Sequence, residues 1–212
     1  MDVAFGCQGQ GRDRAEARRA RIIEAARALF VSNGFHATGV AQIAKVSGVA
    51  VGQIYRDFDS KEEVVAAIVE GDCYAFLERD CLYRSIAAND ERAVWTWLRQ
   101  FFRPAAKRGT EPLFAEIIAE STRNERIAAI FVRKHEDVTA TMLAALTLLA
   151  PGEHLADRRA LLTELVLTLS RGLMQQRLFL PDRDTDQLVD AIVQIIAGEV
   201  EAMRAVAMEA VA

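Results

Sequence analysis

The chain has 212 residues, of which 51% are hydrophobic and 26% charged, with a formal net charge of −4. That balance excludes a wholly disordered chain and allows a sizeable core in one or two domains. The charge is unevenly placed: residues 12–61 hold nine Lys/Arg against five Asp/Glu, a net of +4, which leaves −8 for the rest. A basic N-terminal piece on an acidic body suits a protein that meets phosphate at one end only; chance clustering on solvated helices is the alternative. Cys7, Cys73 and Cys81 form no CxxC pair or disulfide framework, which suits a reducing compartment. The longest nearly apolar run, Val138–Ala150, is shorter than the ~20 residues of a membrane helix. The expected location is the cytoplasm, with no membrane contact.

In chain order the elements are all helical, since Ala, Leu, Glu and Arg dominate and alternating β-branched runs are absent. Residues 1–11, with three glycines, read as a disordered tail. A first helix spans about 12–32, its Ile22, Ala25, Ala26, Leu29 and Phe30 forming one buried stripe. Gly34 ends it in a left-handed conformation. Thr38 or Gly39 caps a short helix over 40–47, Gly48 turns the chain, and another short helix covers 51–58. Ser60 caps a long helix that opens with Glu62 and Glu63. Further helices are expected over 61–84, 91–103, 111–121, 124–149, 156–179 and 184–209. The functional boundary falls near residue 60. It separates residues 12–60, with their short helices, from residues 61–212, where the helices become long.

Within 38–58 the spacing of Ala44, Gly48 and Ile54 fits a helix-turn-helix: a small residue at the helix crossing, a turn glycine, and a hydrophobe in the second helix. Ile43, Val49 and Phe58 pack beside them, and the second helix of such a unit enters the major groove. The segment resembles the N-terminal domain of the tetracycline repressor (TetR) family. The matching residues are Arg21-Ile22-Ile23-Glu24-Ala25-Ala26, Leu29-Phe30, Gly34-Phe35-His36-Ala37-Thr38, Ile43-Ala44, Gly48-Val49, Ile54-Tyr55-Arg56-Asp57-Phe58 and Ser60-Lys61-Glu62-Glu63. The resemblance implies an all-α fold, a three-helix reading domain followed by a larger helical domain. It also implies a homodimer on a palindromic double-stranded operator, released by a small effector, most often as a repressor.

That resemblance puts Thr38, Gly39, Val51, Gly52, Gln53, Tyr55, Arg56 and Lys61 at the DNA. Thr38 would cap the second helix and touch phosphate, Tyr55 and Lys61 would hold phosphates, and Gln53 and Arg56 would face the groove; for Tyr55, core packing with its hydroxyl at the surface is the alternative. Chemistry agrees for Gln53 and Arg56: Gln pairs with adenine and Arg with guanine, each through two bonds. Gly39, Val51 and Asp57 depart from the family's usual residues. A carboxylate at 57 is unfavourable beside phosphate unless it points away or pairs with Arg56. Arg12, Arg14, Arg18 and Arg19 read as a solvated face, with a phosphate-touching arm as the alternative.

The last two helices carry wide apolar faces, which suggests burial on two sides. Leu162, Val166, Leu169, Leu173, Leu188, Ile192, Ile195 and Ile196 are the expected dimer interface. In the middle, Phe76, Trp95, Phe102, Phe114, Ile118, Phe131 and Met142, with Leu173, are candidates to line a pocket for an apolar effector; plain core is the competing reading. His135 and Glu136 read as an exposed pair. No cofactor or metal is expected, for HExxH, DDxxD, phosphate-loop and GxSxG patterns are absent. A dimer of the same fold that binds a small molecule without reading DNA, or a helical enzyme, are the alternatives.

Overall fold

The computed structural model describes the backbone of residues 7–103 and 110–209, with side chains apart from 7–12, 73–76, 110 and 208–209. Among the described residues there are ten α-helices and one short 3-10 turn: α1 (Cys7–Asn33), α2 (Val40–Ser47), α3 (Val51–Asp57), α4 (Lys61–Leu77), α5 (Arg79–Ala87), α6 (Glu91–Phe101), α7 (Thr110–Ser121), α8 (Glu125–Leu149), the turn Glu153–Leu155, α9 (Ala156–Phe179) and α10 (Asp186–Glu209). No helix among them is long and apolar enough to cross a membrane. The helix begins at Cys7, so part of the expected tail is helical; residues 1–6 lie outside the described residues.

The chain divides into two compact units. The first runs up to Gly71 and takes in Pro112–Phe131; the second holds Asp72–Glu111 and the chain from Val132 onward. This differs from the boundary after residue 60 because Val64, Val65 and Ile68 of α4, and Leu113, Ile117, Ile127 and Ile130 of α7 and α8, share one core with Ile22, Phe30, Phe35, Ile43, Ile54 and Phe58. The division therefore falls inside α4, α7 and α8 rather than between helices.

In the first unit the chain turns where its glycines stand. Gly34 follows α1 at φ 82°, and Gly48 follows α2 at φ 68°. In each the left-handed backbone suits a residue without Cβ. The α2 start differs from one of its two expected caps: Gly39 is the cap residue, and Gln42 reaches back so that its Oε1 accepts from the Gly39 N–H at 2.7 Å. Thr38 is not available for this, as described below.

In the second unit the expected helix 61–84 is broken at Glu78, which sits at φ 41°. Neither glycine nor proline marks the break. The Leu77 carbonyl, which a continuous helix would offer to Cys81 N–H, instead accepts from Trp97 Nε1 at 2.6 Å, and the Cys81 N–H turns to Glu78 O at 2.9 Å. Asp90 caps α6, its Oδ1 accepting from Ala93 N–H at 3.0 Å. At the C-terminus of α8, Arg159 donates to Ala150 O (2.9 Å) and Gly152 O (2.7 Å), and Arg204 donates to Leu149 O. Guanidinium groups there satisfy carbonyls that a helix end leaves unpaired.

The apolar faces of α9 and α10 separate into inner and outer residues. Leu162, Val166, Leu173, Ile192 and Ile196 are buried in the chain's own core, and Leu169 packs against it. For these residues the expected interface role is corrected: each helix turns its most continuous stripe toward its own unit. Of the expected set only Leu188 and Ile195 are exposed, Ile195 at 60%, and they are joined by Leu161 (72%) and Leu165.

The glycines separate two effects. A Cβ on Gly48 would meet nothing within 4 Å, so Gly48→Ala is expected to lose about 1–2 kcal/mol from backbone strain alone. Gly52 is helical and equally unobstructed, so Gly52→Ala should gain up to about 1 kcal/mol. Chemical denaturation of the two variants checks this; equal shifts would count against it.

Candidate nucleic-acid interface

The α2–turn–α3 unit is held from one side. Ile43, Val49, Ile54 and Phe58 are buried and Ala44 is partly buried against them, as their spacing predicts. This leaves Val51, Gly52, Tyr55 and Arg56 exposed on α3, with Tyr55 at 51%, while Gln53 and Asp57 lie half-buried at the edge of that face. Gly39 and Lys45 are exposed on the α2 side. Six of the eight expected DNA-contacting residues are therefore accessible on one helix-turn-helix.

The other two have different work. Thr38 is fully buried, and its hydroxyl lies 2.8 Å from Gly34 O and 3.2 Å from Leu29 O, sharing its proton with the end of α1. Its expected capping and phosphate roles are corrected: it closes the α1–α2 turn from inside. Lys61 Nζ donates to Phe35 O at 2.7 Å and Thr38 O at 3.0 Å, and rests 3.9 Å from the centre of the Phe35 ring. Burial pushes its amine below the ordinary lysine range, against the pull of Glu62 and Glu120. Two of its three N–H groups thus tie the start of α4 to the α1–α2 turn, and one remains.

The same turn is gripped by α7. Phe35 N–H donates to Glu116 Oε1 at 2.7 Å, and His36 Nε2 lies 2.9 Å from Glu120 Oε2. Nothing in the local pattern of α7 marked these two glutamates, because their partners are about 80 residues away.

Asp57 is paired, but with a different arginine from the one expected. Arg18 Nε donates to Oδ2 at 2.6 Å and Arg18 Nη2 to Oδ1 at 2.8 Å. Arg19 donates to the Asp57 carbonyl and stacks 4.1 Å from the Phe58 ring centre. Neighbours i and i+1 on a helix do not face each other, so Arg56 could not serve; its Nε turns weakly to Gly52 O at 3.4 Å. Arg18, half-buried, and Arg19, exposed, thus clamp the end of α3 to α1. The sequence signalled the need for a partner at Asp57 but not that Arg18 would supply it.

The expected effector residues are divided between the two units. Phe114 and Phe131 stack with ring centres 5.1 Å apart in the first unit, where Ile118 is exposed. Phe102, Met142 and Leu173 are buried in the core of the second unit, with Trp95 packed against it. The side chain of Phe76 lies outside the described residues. Two open grooves of the second unit, about 560 and 620 Å³, are lined by other residues, among them Cys81 and Trp97 in one and Leu143 and Leu148 in the other.

The Arg18 hydrogen bonds hold the Asp57 carboxyl below the usual carboxylate range. A depressed folded pKa contributes stability that is present above the unfolded value of about 3.9 and is lost as pH falls through the folded pKa. Acid unfolding of the intact protein should therefore fall off more steeply below about pH 4 than that of Asp57→Asn. Parallel curves by circular dichroism would contradict the pairing.

Comparison with known proteins places this geometry. Residues 22–68 match the family model described as bacterial regulatory proteins, tetR family. The transcriptional regulator UidR of Escherichia coli K12 is 31% identical over 136 residues, 59% of this chain and 62% of UidR, so the chain spans under two thirds of that relative. Among solved structures, a transcriptional regulator from Pseudomonas aeruginosa PAO1 superposes with a TM-score of 0.72 at 21% identity, covering 90% of this chain and 91% of its own. FadR of Bacillus subtilis, solved with stearoyl-CoA, gives 0.66 at 18% identity, covering 84% and 96%. These last two share the fold over nearly the whole chain. Residues 22–68 are thus similar to the N-terminal domain of the tetR family of bacterial regulatory proteins, and the fold continues over the rest of the described chain.

Proposed function

We propose that the chain is a sequence-specific DNA-binding transcriptional regulator, a repressor that reads a palindromic double-stranded operator as a homodimer and is released by a small apolar effector. The observation that carries the reading is the face of α3. Val51, Gly52, Tyr55 and Arg56 stand in solvent on a helix whose opposite side, Ile54, is locked into the core. Arg56 offers a planar fork for guanine and Gln53 an amide for adenine, while Val51 suits a thymine methyl. Gly52 lets the backbone approach, and Tyr55 and the remaining N–H of Lys61 can reach phosphate. Asp57, one of the three residues that depart from the family's usual ones, is paired with Arg18.

Dimerisation is supported by Leu161, Leu165, Leu188 and Ile195, apolar residues left in water on α9 and α10. A two-fold pair would set its reading helices about 34–36 Å apart, one turn of DNA. The effector half of the reading is supported by the stearoyl-CoA held in the FadR structure of the same fold. Release then requires that the effector bind one arrangement of the dimer better than the other.

Selection of binding sites from random duplex DNA should yield a palindrome whose affinity falls steeply with salt. Replacing Gln53 and Arg56 by alanine should cost roughly 1–3 kcal/mol of base discrimination for each and leave weak, salt-dependent binding. Enrichment of no sequence by a folded protein would overturn the reading. Separately, Leu161→Asp with Ile195→Asp should give a folded monomer by sedimentation; an unchanged dimer would place the interface elsewhere.

A further inference from the structure

We infer that Asp57 selects the base read by Gln53, by fixing the Gln53 amide with its oxygen turned toward the groove. The inference rests on the DNA-reading function proposed above and concerns what that surface recognises.

Gln53 and Asp57 stand one helical turn apart on the side of α3 that faces α1, and Gln53 Nε2 lies 3.4 Å from Asp57 Oδ1. The carboxylate is itself immobilised by both arms of Arg18, at 2.6 and 2.8 Å. A carboxylate has only lone pairs to offer. The amide must therefore present its NH₂ to Asp57; turned over, its oxygen would oppose another acceptor. Arg18 also keeps the carboxyl ionised, below the usual carboxylate range, so Asp57 does not become a donor near neutral pH.

With one N–H committed, Gln53 has Oε1 and one N–H left for the groove. Oε1 needs a donor, and in the major groove the base donors are the exocyclic amines of adenine and cytosine. Adenine adds N7, which accepts the remaining N–H, so it makes two bonds where cytosine makes one. Guanine O6 and thymine O4 would set an acceptor against Oε1. An unrestrained glutamine can turn its amide over to suit either pattern. Asp57 is thus a positioning residue that acts through Gln53 and narrows its choice to adenine, with cytosine second.

Asp57→Ala gives the discriminating variant. Arg18 Nη2 and Gln53 Nε2 share Asp57 Oδ1, so an asparagine could keep its carbonyl oxygen there, whereas alanine removes the acceptor and frees the Gln53 amide to turn over. Sites are selected from random duplexes with the unaltered protein, Gln53→Ala and Asp57→Ala, and each protein's fold is checked by circular dichroism. In the unaltered protein, one position per half-site should favour adenine over guanine by about tenfold or more, and Gln53→Ala should erase that preference alone. In folded Asp57→Ala the ratio at the same position should drop to within about twofold, with preferences elsewhere kept. Guanine or thymine at the Gln53-dependent position overturns the inference, as does no position depending on Gln53, or a folded Asp57→Ala with the original preference. These results leave DNA reading intact, whereas enrichment of no sequence by the unaltered protein overturns both. Should Asp57→Ala fail to fold, the base erased by Gln53→Ala still decides.

Discussion

A helix of seven residues does not hold itself in water; isolated helices need about 12–15 residues even with good formers. Helix α3 is that short, so its existence and aim depend on what it is fastened to. Ile54 and Phe58 sink into the core of the first unit, and Arg18 and Arg19 of α1 grip its last residue. Most of the reading surface follows from this. The side chains in solvent are those left over once the helix is anchored, and the anchor, Asp57, is itself a neighbour of a base-reading candidate.

A second fastening acts on the α1–α2 turn. Thr38, Lys61 and Glu116 all spend their polar atoms on the backbone between Leu29 and Thr38. Backbone groups in such a turn must be satisfied, and here side chains from the turn, α4 and α7 satisfy them. The α1–α2 turn is thereby held from α1, α4 and α7, and the basic charge counted over residues 12–61 is partly internal: Arg18 and Lys61 are engaged within the protein.

The second unit shows the same economy in its apolar residues. α9 and α10 are rich enough in Leu, Ile and Val to serve a core and still expose Leu161, Leu165, Leu188 and Ile195. A helical face cannot be assigned to core or partner from composition, because residues one position apart point about 100° away from each other. Moving from Leu162 to Leu161, or from Ile196 to Ile195, is the difference between the inside and the surface.

The sequence by itself determined the helical class, nearly all the helix bounds and the helix-turn-helix, because these rest on local matters: the period of the hydrophobes, the glycines at 34 and 48, and the spacing from Ala44 to Ile54. It also placed Val51, Gly52 and Arg56 outward on α3, since the anchored positions of a short helix leave the others free, whereas the exposure of Tyr55 was decided by the structure. Only the tertiary structure decided the break at Glu78, where the Trp97 indole takes the Leu77 carbonyl, and the partner of Asp57, which lies 39 residues away. The same holds for the internal use of Thr38 and Lys61 and for the inner and outer rows of α9 and α10. The physical reason is common to all of these. Each depends on a hydrogen bond or packing contact between residues distant in the chain, and side-chain chemistry names the groups that need a partner without saying which partner the fold brings within reach.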